Sequence, residues 1–242
     1  MSGFEPLFQY LAQLELHNDR SWFHAHHREY AQTVKDFLNL LDLVRFSIGE
    51  NAPQLAEHIL TMNPKDWMYR IPRDARVNRN KPPYNPTLRA FICPDRRSWK
   101  PIGYYLELAP GGSCYGTGVW YTQGADSGQV RDYILAHWEE LEEILAAIPF
   151  PLLGDTLKRM PRGYEDWGSH PAAGLLRRKS WYFLAELPPE SFRYFSAFDE
   201  TIRTLTRQLE PFRLFMLEAC SKKRQSADRQ AAQQLRDFYG SW

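Results

Sequence analysis

The sequence predicts an α+β fold in which an antiparallel sheet is packed by long helices. Apolar residues recur at helical spacing in the first fifty residues and again after residue 129. Between residues 67 and 122 the texture changes to short runs rich in aromatic and branched residues, separated by Pro, Gly and Asn. The connections between those runs are too short for a crossover helix, which makes the sheet antiparallel there.

Phe4 to Leu16 places Leu7, Phe8, Leu11 and Leu14 on one helix face. His17-Asn18-Asp19-Arg20 interrupts that pattern, and Asn18 or Asp19 is positioned to cap a second helix. This helix carries Trp22, Phe23, Tyr30, Val34, Phe37, Leu38, Leu41 and Val44 as its apolar face and is expected to stop near Gly49, ahead of Pro53. Its three histidines, His24, His26 and His27, have no carboxylate at the spacing of a helical zinc motif, and helical geometry puts only His24 and His27 on one side. They are read as a solvated face, and no metal ligand is assigned.

Strands are expected over Trp67–Ile71, Thr87–Cys93, Ile102–Leu108 and Tyr115–Thr122. Gly111-Gly112-Ser113 is the turn of a hairpin between the last two. Gln129–Ile148 reads as one helix whose Glu139, Glu140, Glu142 and Glu143 form a solvated face. A short helix around Ala172–Arg177, a strand over Ser180–Leu187 and a long helix beginning near Phe198, with Pro211 as a kink point, complete the pattern. The expected organisation is one domain over residues 1–220 and a polar tail over 221–242.

A chain of 242 residues is large enough to bury a sizeable core without a metal or disulfide staple. Its 43% hydrophobic and 24% charged residues are those of an ordinary globular protein, and its net charge of +1 argues against bulk attraction to nucleic acid or membrane. No apolar run approaches the roughly 18 residues of a membrane span. Cys93, Cys114 and Cys220 are widely spaced, and no signal-peptide pattern opens the sequence; reduced thiols and a cytoplasmic location are expected.

The charge is unevenly placed. Residues 65–100 hold ten cations against the three carboxylates Asp66, Asp74 and Asp95, a local charge of +7. Within twelve residues stand Arg70, Arg73, Arg76 and Lys81, followed by Pro82, Pro83 and Tyr84. Guanidinium forks suit carboxylates and phosphates, and the prolines lower the entropy lost when such a loop is held in place. The charges are balanced either by Asp74 and Glu107 as an internal network or by an anionic ligand. A second basic loop contains Lys158, Arg159 and Arg162, and His170 beyond it is a candidate acid or base. The glycines match neither a phosphate loop nor a dinucleotide fingerprint, so no cofactor is named, and no nucleophile elbow is present.

Several of these segments together resemble the family called domain of unknown function 2461. They are His17-Asn18-Asp19-Arg20-Ser21-Trp22-Phe23, Tyr69-Arg70-Ile71-Pro72-Arg73-Asp74-Ala75-Arg76, Lys81-Pro82-Pro83-Tyr84, Gly103-Tyr104-Tyr105, Leu157–Tyr164 and His170-Pro171. The resemblance runs from the first helix to about Leu217 and implies an α+β protein without assigning it an activity. Family members carry an aromatic where Pro72 and Val77 stand, a serine at Asn78, an acid at Asn80 and a lysine at Asn85.

The sequence therefore points to a basic cleft that either binds, or binds and turns over, a small phosphorylated or carboxylated ligand. Arg70, Arg73, Arg76, Lys81, Lys158 and Arg159 are the candidate charge-binding residues, and Tyr84 and Tyr105 would orient the ligand. Asp74, Glu107 and His170 are the candidate catalytic groups. One alternative is nucleic-acid binding, with Trp99, Tyr104 and Tyr105 stacking bases between cations, against which the near-zero net charge counts. The other is a non-enzymatic module that meets a protein partner through its aromatic surface.

Overall fold

A computed structural model of the chain describes residues 3–73, 81–94, 102–120 and 125–221. The expected α+β class is what the chain adopts, with a four-stranded antiparallel sheet in the order β1-β2-β3-β4. The strands are β1 (Leu88–Ile92), β2 (Tyr104–Leu108), β3 (Ser113–Val119) and β4 (Trp181–Leu187). The helices among the described residues are α1 (Glu5–Leu16), α2 (Arg20–Ala25), α3 (His27–Asn51), α4 (Pro53–Ile59), α5 (Ala125–Ala136), α6 (Trp138–Ala147), α7 (Ala173–Leu176) and α8 (Phe195–Ala219). None is long and apolar enough to cross a membrane.

Two helices that the apolar periodicity carries through without a gap are each broken at a histidine. The first break, at His26, separates α2 from α3 with backbone angles of φ −105° and ψ 26°. The His26 ring stacks on Trp22 at 4.0 Å, and its Nδ1 donates to the Trp22 carbonyl at 2.9 Å. That carbonyl also accepts the His26 backbone N–H, so side chain and helix share one acceptor. At His137, which separates α5 from α6, the ring stacks on Tyr133 at 4.2 Å with φ −129° and ψ 36°. In both places an aromatic four residues upstream holds the imidazole in the stack.

Other boundaries follow local chemistry. Asp19 caps α2 by accepting the Trp22 N–H at 2.9 Å. Residues 67–72 form isolated bridges rather than the regular strand expected over Trp67–Ile71, Met68 pairing with Ala90 and Pro72 with Tyr84. Pro211 does not interrupt α8, which runs 25 residues through it. The acidic residues of α6 are exposed as expected, and the three cysteines are free thiols. The expected tail after Ser221 lies outside the described residues.

The chain divides into two compact units: Met1–Gly116 with Ala185–Arg207, and Thr117–Leu184 with Gln208–Trp242. In the first, α1, α3 and α4 bury Leu11, Leu14, Phe37, Leu41, Ile48 and Ile59. One face of the sheet buries Leu88, Ala90, Ile92, Tyr104, Leu106 and Leu108 completely. Tyr104 stacks on Tyr115 at 5.2 Å, and the Tyr115 hydroxyl donates to Thr206 Oγ1 at 2.8 Å. Thr206 passes its own proton to the Ile202 carbonyl at 2.7 Å, so this buried chain of hydroxyls is satisfied.

The second unit is centred on Trp181, Phe183, Phe212 and Phe215. Arg131 is buried within it and caps the end of α7, Nε donating to the Leu176 carbonyl at 2.6 Å and Nη2 to the Arg178 carbonyl at 2.8 Å. Gly118, at φ 140°, lies so close to β4 that a Cβ there would sit 2.3 Å from the Trp181 carbonyl oxygen. Arg213, 2% exposed, is held by a two-pronged pair with Glu210 at 2.6 and 2.7 Å. Removing one member of a buried pair strands the other's charge. Glu210→Ala is therefore expected to lower stability by about 3–5 kcal/mol, and the double change Glu210→Leu with Arg213→Met to recover most of that loss. Denaturation midpoints at unchanged m-value measure both.

Candidate functional site

Residues 67–73, where the basic stretch begins, are one arm of a short β-ribbon. Its backbone pairs with residues 83–91 through Arg73 N–H to the Pro83 carbonyl, Asn85 N–H to the Ile71 carbonyl, Tyr69 N–H to the Arg89 carbonyl and Phe91 N–H to the Trp67 carbonyl, all at 2.8–2.9 Å. The three prolines Pro82, Pro83 and Pro86 lie on the returning arm, where a missing N–H and a fixed φ suit a broken ladder better than a regular strand.

Asn18 fastens this ribbon to the helices. Its Nδ2 donates to the Tyr84 carbonyl and its Oδ1 accepts the Tyr84 N–H, both at 3.0 Å. A single side-chain amide thus satisfies both backbone groups of one residue, as a neighbouring strand would. The Tyr84 ring, 7% exposed, lies flat on Phe23 at 4.0 Å and 15°. Asn18 and Asp19 both have the chemistry of a cap. Asp19 caps α2, and Asn18 reaches 66 residues along the chain instead.

Arg73 is half-buried and works within the ribbon, Nη2 donating to Asn85 Oδ1 at 2.8 Å and Nη1 to the Pro82 carbonyl at 3.5 Å. Arg70 and Lys81 are exposed, and among the described residues neither has a hydrogen-bond or ion-pair partner. Asp74 and Arg76 lie outside the described residues. Of the two acids that sequence offered as internal partners, Glu107 accepts a hydrogen bond from the Tyr105 hydroxyl, and Arg89 is its cross-strand partner in the register of β1 and β2.

Tyr105 and Glu107 share the less buried face of the sheet with Arg89, Cys114 and Tyr69. The Arg89 guanidinium carbon is 5.5 Å from the Tyr69 ring centre, and Tyr69 meets Tyr105 edge-on at 6.5 Å. Burial raises the Tyr105 phenol far above its ordinary value, the bond to Glu107 and that carboxylate's charge add to the rise, and Arg89 opposes it. Burial, followed by the Glu107 charge, pushes the Cys114 thiol up to about 11. This face therefore holds a protonated phenol and a protonated thiol around one carboxylate: groups that donate protons in hydrogen bonds and do not act as nucleophiles at neutral pH.

Lys158, Arg159 and His170 belong to the other compact unit. Lys158 and Arg159 are exposed there, as is Arg162. His170 lines an open cavity of about 700 Å³ with His137, Trp138, Asp166 and Trp167. The Ala172 N–H donates to its Nδ1 at 3.1 Å, which places the proton of the neutral ring on Nε2, and burial lowers its pKa. Among the described residues no group of three or more His, Cys, Asp and Glu is placed to hold a metal ion.

A family model described as "Conserved hypothetical protein (DUF2461)" matches residues 6–215 of the chain. The chain belongs to that family. The Asn18 clamp, the ribbon and the sheet face around Glu107 all lie inside the matched DUF2461 region. No curated protein and no solved structure matches the chain.

Sequence reasoning named Tyr105 and Glu107 but missed Arg89, Tyr69 and Cys114 as their neighbours. The one available signal was alternation: Arg89 on β1 occupies the same parity as the outward residues of β2. The reach of Asn18 to Tyr84 had no sequence signal at all.

Two outcomes follow from this geometry. Asn18→Ala leaves both Tyr84 backbone groups without their partner and is expected to cost about 1–3 kcal/mol. Amide exchange at Tyr84 should speed up more than at β2, and unchanged protection there would contradict the clamp. At pH 8 a thiol titrating near 11 rather than 9 alkylates about a hundredfold more slowly, and Glu107→Gln should restore part of that rate at Cys114. Because the folded value is the higher one, the thiol's contribution to stability is intact below about 9 and is lost as pH rises through about 11.

Proposed function

We propose that the protein binds a small anionic ligand, a phosphate monoester or a carboxylate, at the ribbon formed by residues 69–73 and 81–85. One observation carries this reading. Arg70 and Lys81 project from the ribbon without partners among the described residues, while the ribbon itself is fastened by a two-point amide clamp and a buried ring stack. A guanidinium and an ammonium without a carboxylate partner among the described residues keep their donors available to an incoming anion. A fixed backbone also reduces the ordering cost of capture.

In this reading Arg70 and Lys81 supply the charge, with Arg76 as a further contributor, and Arg73 ties the two arms together by holding Asn85 and the Pro82 carbonyl. Tyr84 acts by anchoring the ribbon through Phe23. Tyr105 is a neutral hydrogen-bonding group beside Glu107, which with Asp74 is the candidate base for turnover. Lys158, Arg159 and His170 are candidates for a separate contribution from the second unit. The free thiols Cys93, Cys114 and Cys220 fit a reducing compartment, the cytoplasm.

The test is a thermal-shift panel of inorganic phosphate, a sugar phosphate, citrate and a mononucleotide on the wild type and on Arg70→Ala with Lys81→Ala. A ligand present at 100 times its Kd stabilises by about 2.7 kcal/mol, a readable rise in Tm that the double variant should lose. An equal response in both proteins, or none in either, overturns the reading. A steep salt dependence spanning several phosphates, seen with a single-stranded oligonucleotide alone, would favour nucleic-acid binding instead.

A further inference from the structure

A second cavity, of about 360 Å³, opens between α1, α2 and α3, away from the cationic ribbon's charged residues. Its aromatic wall is Tyr10 and Trp22, whose ring centres are 5.9 Å apart at a tilt of 38°. Its floor is one face of α3, where Glu29, Thr33 and Asp36 recur at helical spacing. Among the described residues no lysine or arginine lines it.

The polar groups here are incompletely used. Tyr10 is 7% exposed, and its hydroxyl is buried without a hydrogen-bond partner. Burial raises the phenol well above its ordinary value, with Tyr30 and Glu29 adding to the rise, so the hydroxyl stays protonated in the field of Glu29. The Glu29 carboxylate has no partner among the described residues, and Asp36 accepts one bond, from Gln32 Nε2 at 2.8 Å. Buried polar groups are normally satisfied, so the unpartnered hydroxyl of this cavity-lining tyrosine is an exception.

Negative charge, an electron-rich wall and no competing cation select for a positively charged occupant. A single metal ion does not fit, because Glu29 and Asp36 are seven residues apart and so separated by about 10 Å along the helix axis, well beyond shared coordination. That separation suits two charges joined by a flexible apolar chain. We propose that the groove between α1 and α3 binds a linear organic di- or polyammonium ion. One ammonium group pairs with Glu29 beside Tyr10, the other pairs with Asp36, and the methylene chain lies along Trp22 and Thr33. The indole is itself fixed by stacking on His26 at 4.0 Å and on His17 at 5.8 Å, so little side-chain order remains to be lost on binding.

Isothermal titration of the full chain at low ionic strength with spermidine, 1,4-diaminobutane and tetramethylammonium, each alone, tests this. Saturable one-site binding of spermidine is expected, with 1,4-diaminobutane weaker because it carries two positive charges rather than three. Glu29→Gln and Asp36→Asn should each weaken spermidine about tenfold, while Glu142→Gln, an exposed carboxylate on α6, leaves it unchanged. Neither groove position is part of the core, and a circular dichroism melt confirms that each variant is folded. Absence of saturable binding overturns the proposal. So does equal weakening by all three substitutions, or binding of tetramethylammonium in preference to spermidine.

Discussion

The paired hydrogen bonds from Asn18 to the Tyr84 backbone are the constraint on which the rest of the candidate site depends. The ribbon that carries Arg70, Arg73 and Lys81 has a poor ladder of its own, because prolines remove donors from the returning arm and residues 67–72 form only isolated bridges. A backbone of that kind frays unless something outside it supplies the missing order. Asn18 does so with one amide, and the stack of Tyr84 on Phe23 adds apolar burial at the same point. Without this fastening the cations would sit on a floating segment.

The clamp comes from the junction between α1 and α2, which makes the short α2 more consequential than its six residues suggest. Asp19 starts it, His26 ends it, and its two aromatic residues face different tasks. Phe23 supports the cationic ribbon through Tyr84, and Trp22 walls the acidic groove between α1 and α3. Two regions of opposite charge are thus braced by neighbouring residues of one helical turn. The histidine stack that ends α2 keeps α3 from continuing in register with it, which is what lets Trp22 and Phe23 be aimed independently of the long helix.

Electrostatics divides the candidate residues by environment. Arg70 and Lys81 are exposed to water, whereas Tyr105, Cys114 and Tyr10 are shifted by burial toward their neutral forms. Arginines inside the fold, Arg131 and Arg213, are consumed by carbonyls or a carboxylate and serve packing. A count of cations along the sequence cannot separate these classes, because the deciding quantity is the number of partners each guanidinium finds after folding.

The sequence by itself determined the α+β class, the alternation that puts Tyr104, Leu106 and Leu108 inside and Tyr105 and Glu107 outside, and the positions of most elements. These follow from periodicity, which is local. The breaks at His26 and His137 were illegible because the apolar period runs straight through them, and the interruption lies in a ring stack and a shared carbonyl. The tertiary structure alone decided that Asn18 meets Tyr84, that Arg73 serves its own ribbon, and that Arg89 and Cys114 stand beside Glu107. Those contacts join residues 7 to 66 positions apart, and nothing in a residue's own neighbourhood specifies which distant partner the fold brings to it. Periodicity fixes which side of an element is buried, and only the packing of elements fixes what each polar group then faces.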